Sequence, residues 1–182
     1  MSDMFNKVGG LRRGYSVAAV NQFMADAKVS YEGKSAAVNA AKVLSVVFPD
    51  EKGGYDRVQV DATLDRLASA FIKRDRAEFV SRHGQQAWLD RVAERATTLY
   101  PRLLRPVGER FVHPGRGQLG YSAESVDPFL DLVSAFFNEG KELTANQVRT
   151  VVFKAARGKK AYEESVVDAY LNRVLEVLLA VE

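Results

Sequence analysis

The chain has 182 residues, 47% hydrophobic, 27% charged and 10% aromatic, which is enough apolar material to bury a core in one or two small domains and too much for a disordered tail. With 26 Lys and Arg against 23 Asp and Glu, the net charge of +3 is too small to announce a nucleic-acid binder. The chain has no cysteine and two histidines, His83 and His113, far apart in sequence, which excludes a disulfide scaffold, a Cys-based zinc site, a thiol nucleophile and a short His ligand pair.

Residues 1–14 contain no apolar run of the kind a secretory signal needs, and Gly9-Gly10 followed by Arg12-Arg13 reads as a mobile basic lead-in. The apolar stretches 35–48 and 174–181 are shorter than the roughly 20 residues that cross a bilayer. The expectation is a cytoplasmic protein. Peripheral attachment at the inner face of the cell membrane stays open, since it needs only an exposed apolar side chain beside basic ones.

One pattern recurs four times. Tyr15, Tyr55, Tyr121 and Tyr162 are each followed five residues later by Val (Val20, Val60, Val126, Val167) and then by Asn21, Asp61, Asp127 or Asp168. Glycine precedes the first three tyrosines and Ala161 the fourth. Apolar residues then recur four, seven and eleven places after each Val: Met24, Ala27, Tyr31; Leu64, Leu67, Phe71; Leu130, Val133, Phe137; Leu171, Val174, Leu178. This is the seam of a helix that packs along another helix. Ser16, Asp56 and Ser122 stand where an N-cap side chain would satisfy an orphan amide, with Tyr at N′ and Val at N4 as a hydrophobic staple. Glycine before Tyr lets the chain turn sharply into the helix.

A second layer lies upstream. Residues 143–153 read as a short helix capped by Thr144 and ending in Val-Val-Phe, and residues 38–48 repeat it; Phe111 and Phe5 keep only the final Phe. A full unit is thus a short helix, an irregular loop and a longer helix. Tyr15 and Tyr55 lie 40 residues apart, Tyr55 and Tyr121 66, and Tyr121 and Tyr162 41, so the units come as two pairs. The excess, residues 73–105, carries its own seam (Leu89, Val92, Ala96, Leu99, Leu103), divided from the preceding helix at Gly84 and ended near Tyr100 by Pro101. The predicted fold is all-α, with repeated modules packed as helical hairpins or coiled-coil-like pairs: a pair over 1–72, a connecting helical segment over 73–105 and a pair over 106–182.

The repeated Tyr and Val read as core residues rather than ligand contacts, and the repeated acids as early-turn residues favoured by the helix macrodipole. The basic stretch Lys154, Arg157, Lys159, Lys160 is either a solvated loop or a contact for anionic lipid. Arg102, Arg105, Arg110 and Arg116, interleaved with Phe111 and His113, lack any accompanying RNA-recognition motif. No constellation of titratable groups suggests an enzyme, and no catalytic, cofactor or metal residue is assigned.

The unit Gly-Tyr-x4-Val-[Asp/Asn]-x-[aromatic]-[Leu/Met], with Leu-Thr-x3-Val-x2-Val-x-Phe ahead of it, resembles the N-terminal module of the DivIVA family of bacterial division and polar-growth scaffolds, most closely over 143–174. Several such modules in one short chain are similar to the DivIVA-domain repeat proteins of actinobacteria. The resemblance implies a non-enzymatic scaffold or adaptor linked to cell division or polar growth, with protein partners and an anionic membrane surface as candidate second partner. It also implies that the two residues before Gly-Tyr form a lipid-touching tip. Here these are Arg12-Arg13, Lys52-Gly53, Gln118-Leu119 and Lys159-Lys160, so the candidate contact residues are Leu11, Arg12, Arg13, Leu119, Lys159 and Lys160. The long coiled coil that drives family oligomerisation has no counterpart up to Glu182. Because a lone module exposes an apolar seam, covalently joined modules are expected to pair internally in a monomer, or else in a homodimer. The alternative is a soluble protein-protein interaction module without a membrane or division role.

Overall fold

A computed structural model describes residues 4–181, in two units, Met1–Glu78 and Phe79–Glu182. The first unit contains β1 (Arg13–Tyr15), α1 (Val17–Tyr31), α2 (Ala40–Ser45), β2 (Asp50–Lys52) and the start of α3 (Arg57–Thr97). The second contains the rest of α3, α4 (Tyr100–Leu103), β3 (Leu119–Ser122), α5 (Ala123–Glu139), α6 (Ala145–Thr150), β4 (Ala155–Arg157), β5 (Ala161–Tyr162) and α7 (Glu164–Val181). Helix α3 is interrupted at Gly84, whose φ of 84° and ψ of 165° only glycine adopts readily.

The all-α expectation is corrected. The described chain is 62% helical and 10% strand, with two small antiparallel sheets. The loops leading to each Tyr are not irregular; each finds its hydrogen-bonding partner in the neighbouring repeat. In the first unit β1 pairs β2 in the register Arg13↔Lys52, Gly14↔Glu51, Tyr15↔Asp50. Tyr15 and Tyr55 exchange backbone bonds: the Tyr15 amide donates to the Tyr55 carbonyl at 3.0 Å and the Tyr55 amide to the Tyr15 carbonyl at 2.8 Å. In the second unit β3 lies between β4 and β5, with Gly120 opposite Ala156 and Tyr121 opposite Tyr162.

This exchange explains the glycines differently from the turn they suggest in sequence. A Cβ on Gly14 would overlap the Tyr55 carbonyl, and one on Gly54 the Tyr15 carbonyl. The residue is fixed by the approach of the partner repeat's backbone, not by turning.

Aromatic rings follow the same exchange. Phe5, upstream of the first Tyr, meets the second, Tyr55, edge-on at 5.3 Å, and Phe48, upstream of the second, meets Tyr15 at 5.5 Å. Phe111 likewise packs on Tyr162 at 5.3 Å and Phe153 on Tyr121 at 5.3 Å. Val20, Phe48, Tyr55 and Val60 form the buried core of the first unit, with Tyr15, Phe23, Met24 and Leu64 against it. Val126 and Val167 are as fully buried in the second. Each Val stands in the opening turn of its helix, where full burial contributes about 1.5–3 kcal/mol.

Helix α1 and the beginning of α3 run parallel rather than as a hairpin. Val20 and Val60 share one end, and Tyr31 meets Phe71 at 5.4 Å at the other. There Arg74 donates to the Ser30 and Tyr31 carbonyls at 2.8 Å, joining the Gly33 amide on the first at the end of α1. At the helix starts the expected caps divide. Asp56 accepts from the Gln59 amide at 3.0 Å and Thr144 forms a full capping box with Gln147. Ser16 and Ser122 make no side-chain cap bond; Glu51, from the opposing strand, takes the Val17 amide at 2.9 Å.

The part of α3 beyond Gly84 belongs to the second unit's core. Trp88 donates its indole N–H to the Ala180 carbonyl at 3.1 Å, Arg95 pairs with Glu176 at 2.8 Å, and the Tyr170 hydroxyl donates to the Leu99 carbonyl at 3.0 Å. The segment therefore runs antiparallel to α7. That third neighbour is why α7 is buried at Tyr170, Leu171, Val174, Leu175, Val177 and Leu178, more than one helical face.

Candidate functional site: tyrosine latches and basic sheet edges

The repeated spacing from Tyr to the Asn or Asp six residues on has a role that a macrodipole reading misses. The Tyr55 hydroxyl donates to Asn21 at 3.1 Å, and that of Tyr162 donates to both oxygens of Asp127 at 3.0 Å. Tyr15 and Tyr121 face Asp61 and Asp168 in the same way, close enough for each carboxylate to raise the pKa of the phenol. Each Tyr thus faces the helix of the other repeat in its unit, and at Tyr55 and Tyr162 a hydrogen bond closes the contact.

The latch at Tyr162 is the most elaborate. Asp127 and Arg110 are both buried. Asp127 also accepts from the Gly108 amide at 2.8 Å. Arg110 donates to the Asp127 carbonyl at 2.9 Å and reaches the carboxylate of Asp131, while its amide donates to the Tyr162 hydroxyl at 3.2 Å. A charge buried this far persists only when its lone pairs and protons find partners. Arg102 closes the outside, donating to the Arg110 carbonyl at 2.8 Å and stacking on Phe111 at 5.0 Å. The RNA-like cluster of the sequence is therefore divided, with Arg102 and Arg110 spent on this loop.

Desolvation, then the bond to Asp127, pushes the Tyr162 phenol up to about 12, against the opposing Arg110 amide. Desolvation, then the Asp168 charge, does the same to Tyr121, also to about 12. The carboxyls of Asp61 and Asp168 are themselves raised by desolvation, which their Tyr bonds oppose. These shifts belong to structural latches.

The sheets also bring the sequence-predicted contact residues together in pairs of tips. In the first unit, residues 9–12 form a turn closed by the Arg12 amide on the Gly9 carbonyl at 2.7 Å, and the Gly53 amide donates to the Arg12 carbonyl at 2.9 Å. Leu11 projects from this turn with 95% of its surface exposed, and Arg12, Arg13 and Lys52 stand exposed beside it, Arg13 directly opposite Lys52. In the second unit the corresponding turn is 115–118, closed by the Gln118 amide on the Gly115 carbonyl at 3.0 Å. Leu119, 54% exposed, lies opposite Arg157 in the sheet. Lys159 and Lys160 follow in a short 3₁₀ turn, Gly158–Lys160, both exposed.

Lys52, in the second tip, and Arg157, in the basic stretch before the fourth, are set opposite Arg13 and Leu119 by a strand register that the sequence gives no alternation to reveal. Ion pairs elsewhere in the two units engage Lys34, Arg57, Arg74, Arg95, Arg110 and Lys141. Among the described residues no cluster of three or more metal-ligating side chains occurs, and no helix is long and apolar enough to cross a membrane. Comparison with family models, with curated proteins and with solved structures returned no match.

Proposed function

We propose that the chain is a non-enzymatic DivIVA-like scaffold or adaptor, cytoplasmic, tied to bacterial division or polar growth, that docks on anionic membrane through its sheet edges. The observation that carries the reading is cross-strand: in each unit the register places two separate loop tips side by side, so that Leu11, Arg12, Arg13 and Lys52, and Leu119, Arg157, Lys159 and Lys160, form two exposed apolar-basic edges. A basic residue held at an anionic surface contributes about 1 kcal/mol, so three per edge give attraction of useful size where a single loop would not. Pairing of the repeats within each unit also removes their need for a second chain, and the scaffold then works by presenting its surface to protein partners.

The test is sedimentation of the full chain with vesicles of phosphatidylserine and phosphatidylcholine, compared with phosphatidylcholine alone. Binding is expected only to the anionic vesicles and is abolished by replacing Arg12, Arg13, Lys159 and Lys160 with Glu. A parent protein that stays in the supernatant refutes membrane docking and leaves the soluble interaction module in its place.

A further inference from the structure

The corner in α3 holds a contact that no straight helix can make. Phe79 and Trp88 stand nine residues apart, a span that an uninterrupted helix stretches to about 13 Å and ends on its opposite side. Their rings nevertheless lie 5.8 Å apart, and the Arg91 guanidinium sits over the Phe79 ring at 4.9 Å. The contact of Phe79 with His83, at 4.5 Å, is different in kind, since it spans one helical turn and needs no corner. Gly84, with φ 84° and ψ 165°, is the non-helical residue inside α3 that makes the fold-back. From this geometry we infer that the seat formed by Trp88 and Arg91 is an interface for a second copy of this chain, with Gly84 as a swap hinge. When Gly84 turns helical, α3 becomes continuous, and Phe79 leaves its own seat for that of a second copy, which returns its Phe79 in exchange.

The local physics favours exchange over a permanent corner. Two helices that double back are ordinarily joined by roughly two to five residues. This corner has one, and short constrained hinges invite swapping. Neighbouring groups do not hold the hinge: residues 81–86 are exposed, and a Cβ on Gly84 would meet open space. Both flanks are already helical, and a break leaves amides and carbonyls that a continuous helix pairs. The seat stays in place when Phe79 leaves, because Trp88 is anchored on α7 through the Ala180 carbonyl at 3.1 Å. The contacts that straightening breaks, Phe79 with Trp88 and Arg91, are the ones a reciprocal dimer makes again, so concentration sets the balance. A swapped dimer carries every surface of the chain twice and gains avidity for a repetitive target, whatever that target is.

Size exclusion with light scattering on the full chain is expected to show a 20.2 kDa monomer when dilute and a dimer of twice that mass that grows as the protein is concentrated. Gly84→Ala disfavours the corner, since alanine resists positive φ and favours helix. It is expected to raise the dimerisation constant by about a hundredfold, roughly tenfold for each of the two hinges. A flexible Gly-Ser segment inserted after Gly84 relaxes the corner and is expected to abolish the dimer. The absence of cysteine from the chain lets the exchange be read directly. Phe79→Cys with Arg91→Cys, added to Gly84→Ala and treated with a short bis-maleimide, is expected to give covalent dimers on a denaturing gel. Cross-links that stay within one chain of the dimer, or a Gly84→Ala variant that remains monomeric at every concentration, overturn the proposal. Should Gly84→Ala fail to fold, the parent and the insertion variant decide. A parent dimer lost on insertion supports exchange; a dimer indifferent to the insertion, or no parent dimer, overturns it.

Discussion

Tyr162 and Asp127 come from different repeats, 35 residues apart, and meet with the phenol oxygen 3.0 Å from both carboxylate oxygens inside the second unit. The bond serves two needs at once: it satisfies a buried carboxylate and fixes one repeat against the other. The same hydroxyl accepts from the Arg110 amide, so removing it orphans groups on two segments.

Tyr162→Phe is therefore expected to cost about 1–3 kcal/mol, the penalty of leaving buried polar groups unmet. Tyr55→Phe, which faces the neutral Asn21 in a partly buried setting, should cost about 1 kcal/mol. Urea unfolding followed by fluorescence of Trp88, the chain's one tryptophan, reports the second unit, and circular dichroism reports the helices of both. Equal losses for the two variants would show that the charge on Asp127 adds nothing to the latch.

The exchange of backbone bonds at the first sheet makes a sharper prediction about glycine. Gly14→Ala and Gly54→Ala each drive a methyl into the opposing carbonyl and should destabilise the first unit by about 1–3 kcal/mol. Gly9→Ala and Gly10→Ala meet open space and should leave the melting temperature within a degree or two of the parent. Thermal melts of the four variants separate a steric requirement from a general intolerance of the loop.

Tyr121 and Tyr162 give the second unit a defined alkaline limit. Both phenols are pushed up to about 12, whereas in the unfolded chain they ionise near 10. Between these values the folded chain holds protons that the unfolded chain has released, so stability falls as pH rises from 10 to 12 and is unaffected by these groups below 10. A phenolate absorbance titration should show these two ionising late together with Tyr170, whose burial also raises its phenol, and Tyr162→Phe should flatten part of the fall in stability across that window. A fall of unchanged steepness would place the titration elsewhere.

Much of this architecture is legible in the sequence because it is periodic. The seams after Val20, Val60, Val126 and Val167 follow helix geometry, and Thr144 with Gln147 spells out its own cap. The strands are not legible for a physical reason: two to four residues are too few for an alternation to register, and each is a strand only because another repeat supplies its partner. Gly14 reads as a turn residue for the same reason, since the carbonyl that forbids a side chain there belongs to Tyr55. Residues 73–105 read as a connector because nothing local says that Trp88 ends against Ala180. The one hint is that α7 carries apolar residues on more sides than a two-helix seam needs. In the candidate site the basic residues are visible as charge, but which tip meets which, Arg13 opposite Lys52 and Leu119 opposite Arg157, is set by register and cannot be read from the sequence.

The two units also carry chemically matched sets at one position, which allows the latch to be rebuilt. The Met4 amide donates to the Tyr55 hydroxyl at 3.3 Å as the Arg110 amide donates to that of Tyr162 at 3.2 Å, so Met4 corresponds to Arg110. Asn21 corresponds to Asp127, and the place of Asp131 is taken by Ala25. The neutral set Met4, Asn21, Ala25 thus stands where the other unit has Arg110, Asp127, Asp131. Asn21→Asp alone places a carboxylate beside the buried Tyr55 with no cation, and is expected to destabilise the first unit by about 1–3 kcal/mol at neutral pH. Met4→Arg alone adds an exposed cation and should change little. Together the two should recover a large part of the loss, giving a coupling of about 1 kcal/mol or more in a double-mutant cycle. The loss in Asn21→Asp should also shrink as pH is lowered and the new carboxyl takes up its proton. Additive effects in the cycle would mean that Arg110 supports its own loop through backbone carbonyls and contributes nothing as the counter-ion of Asp127.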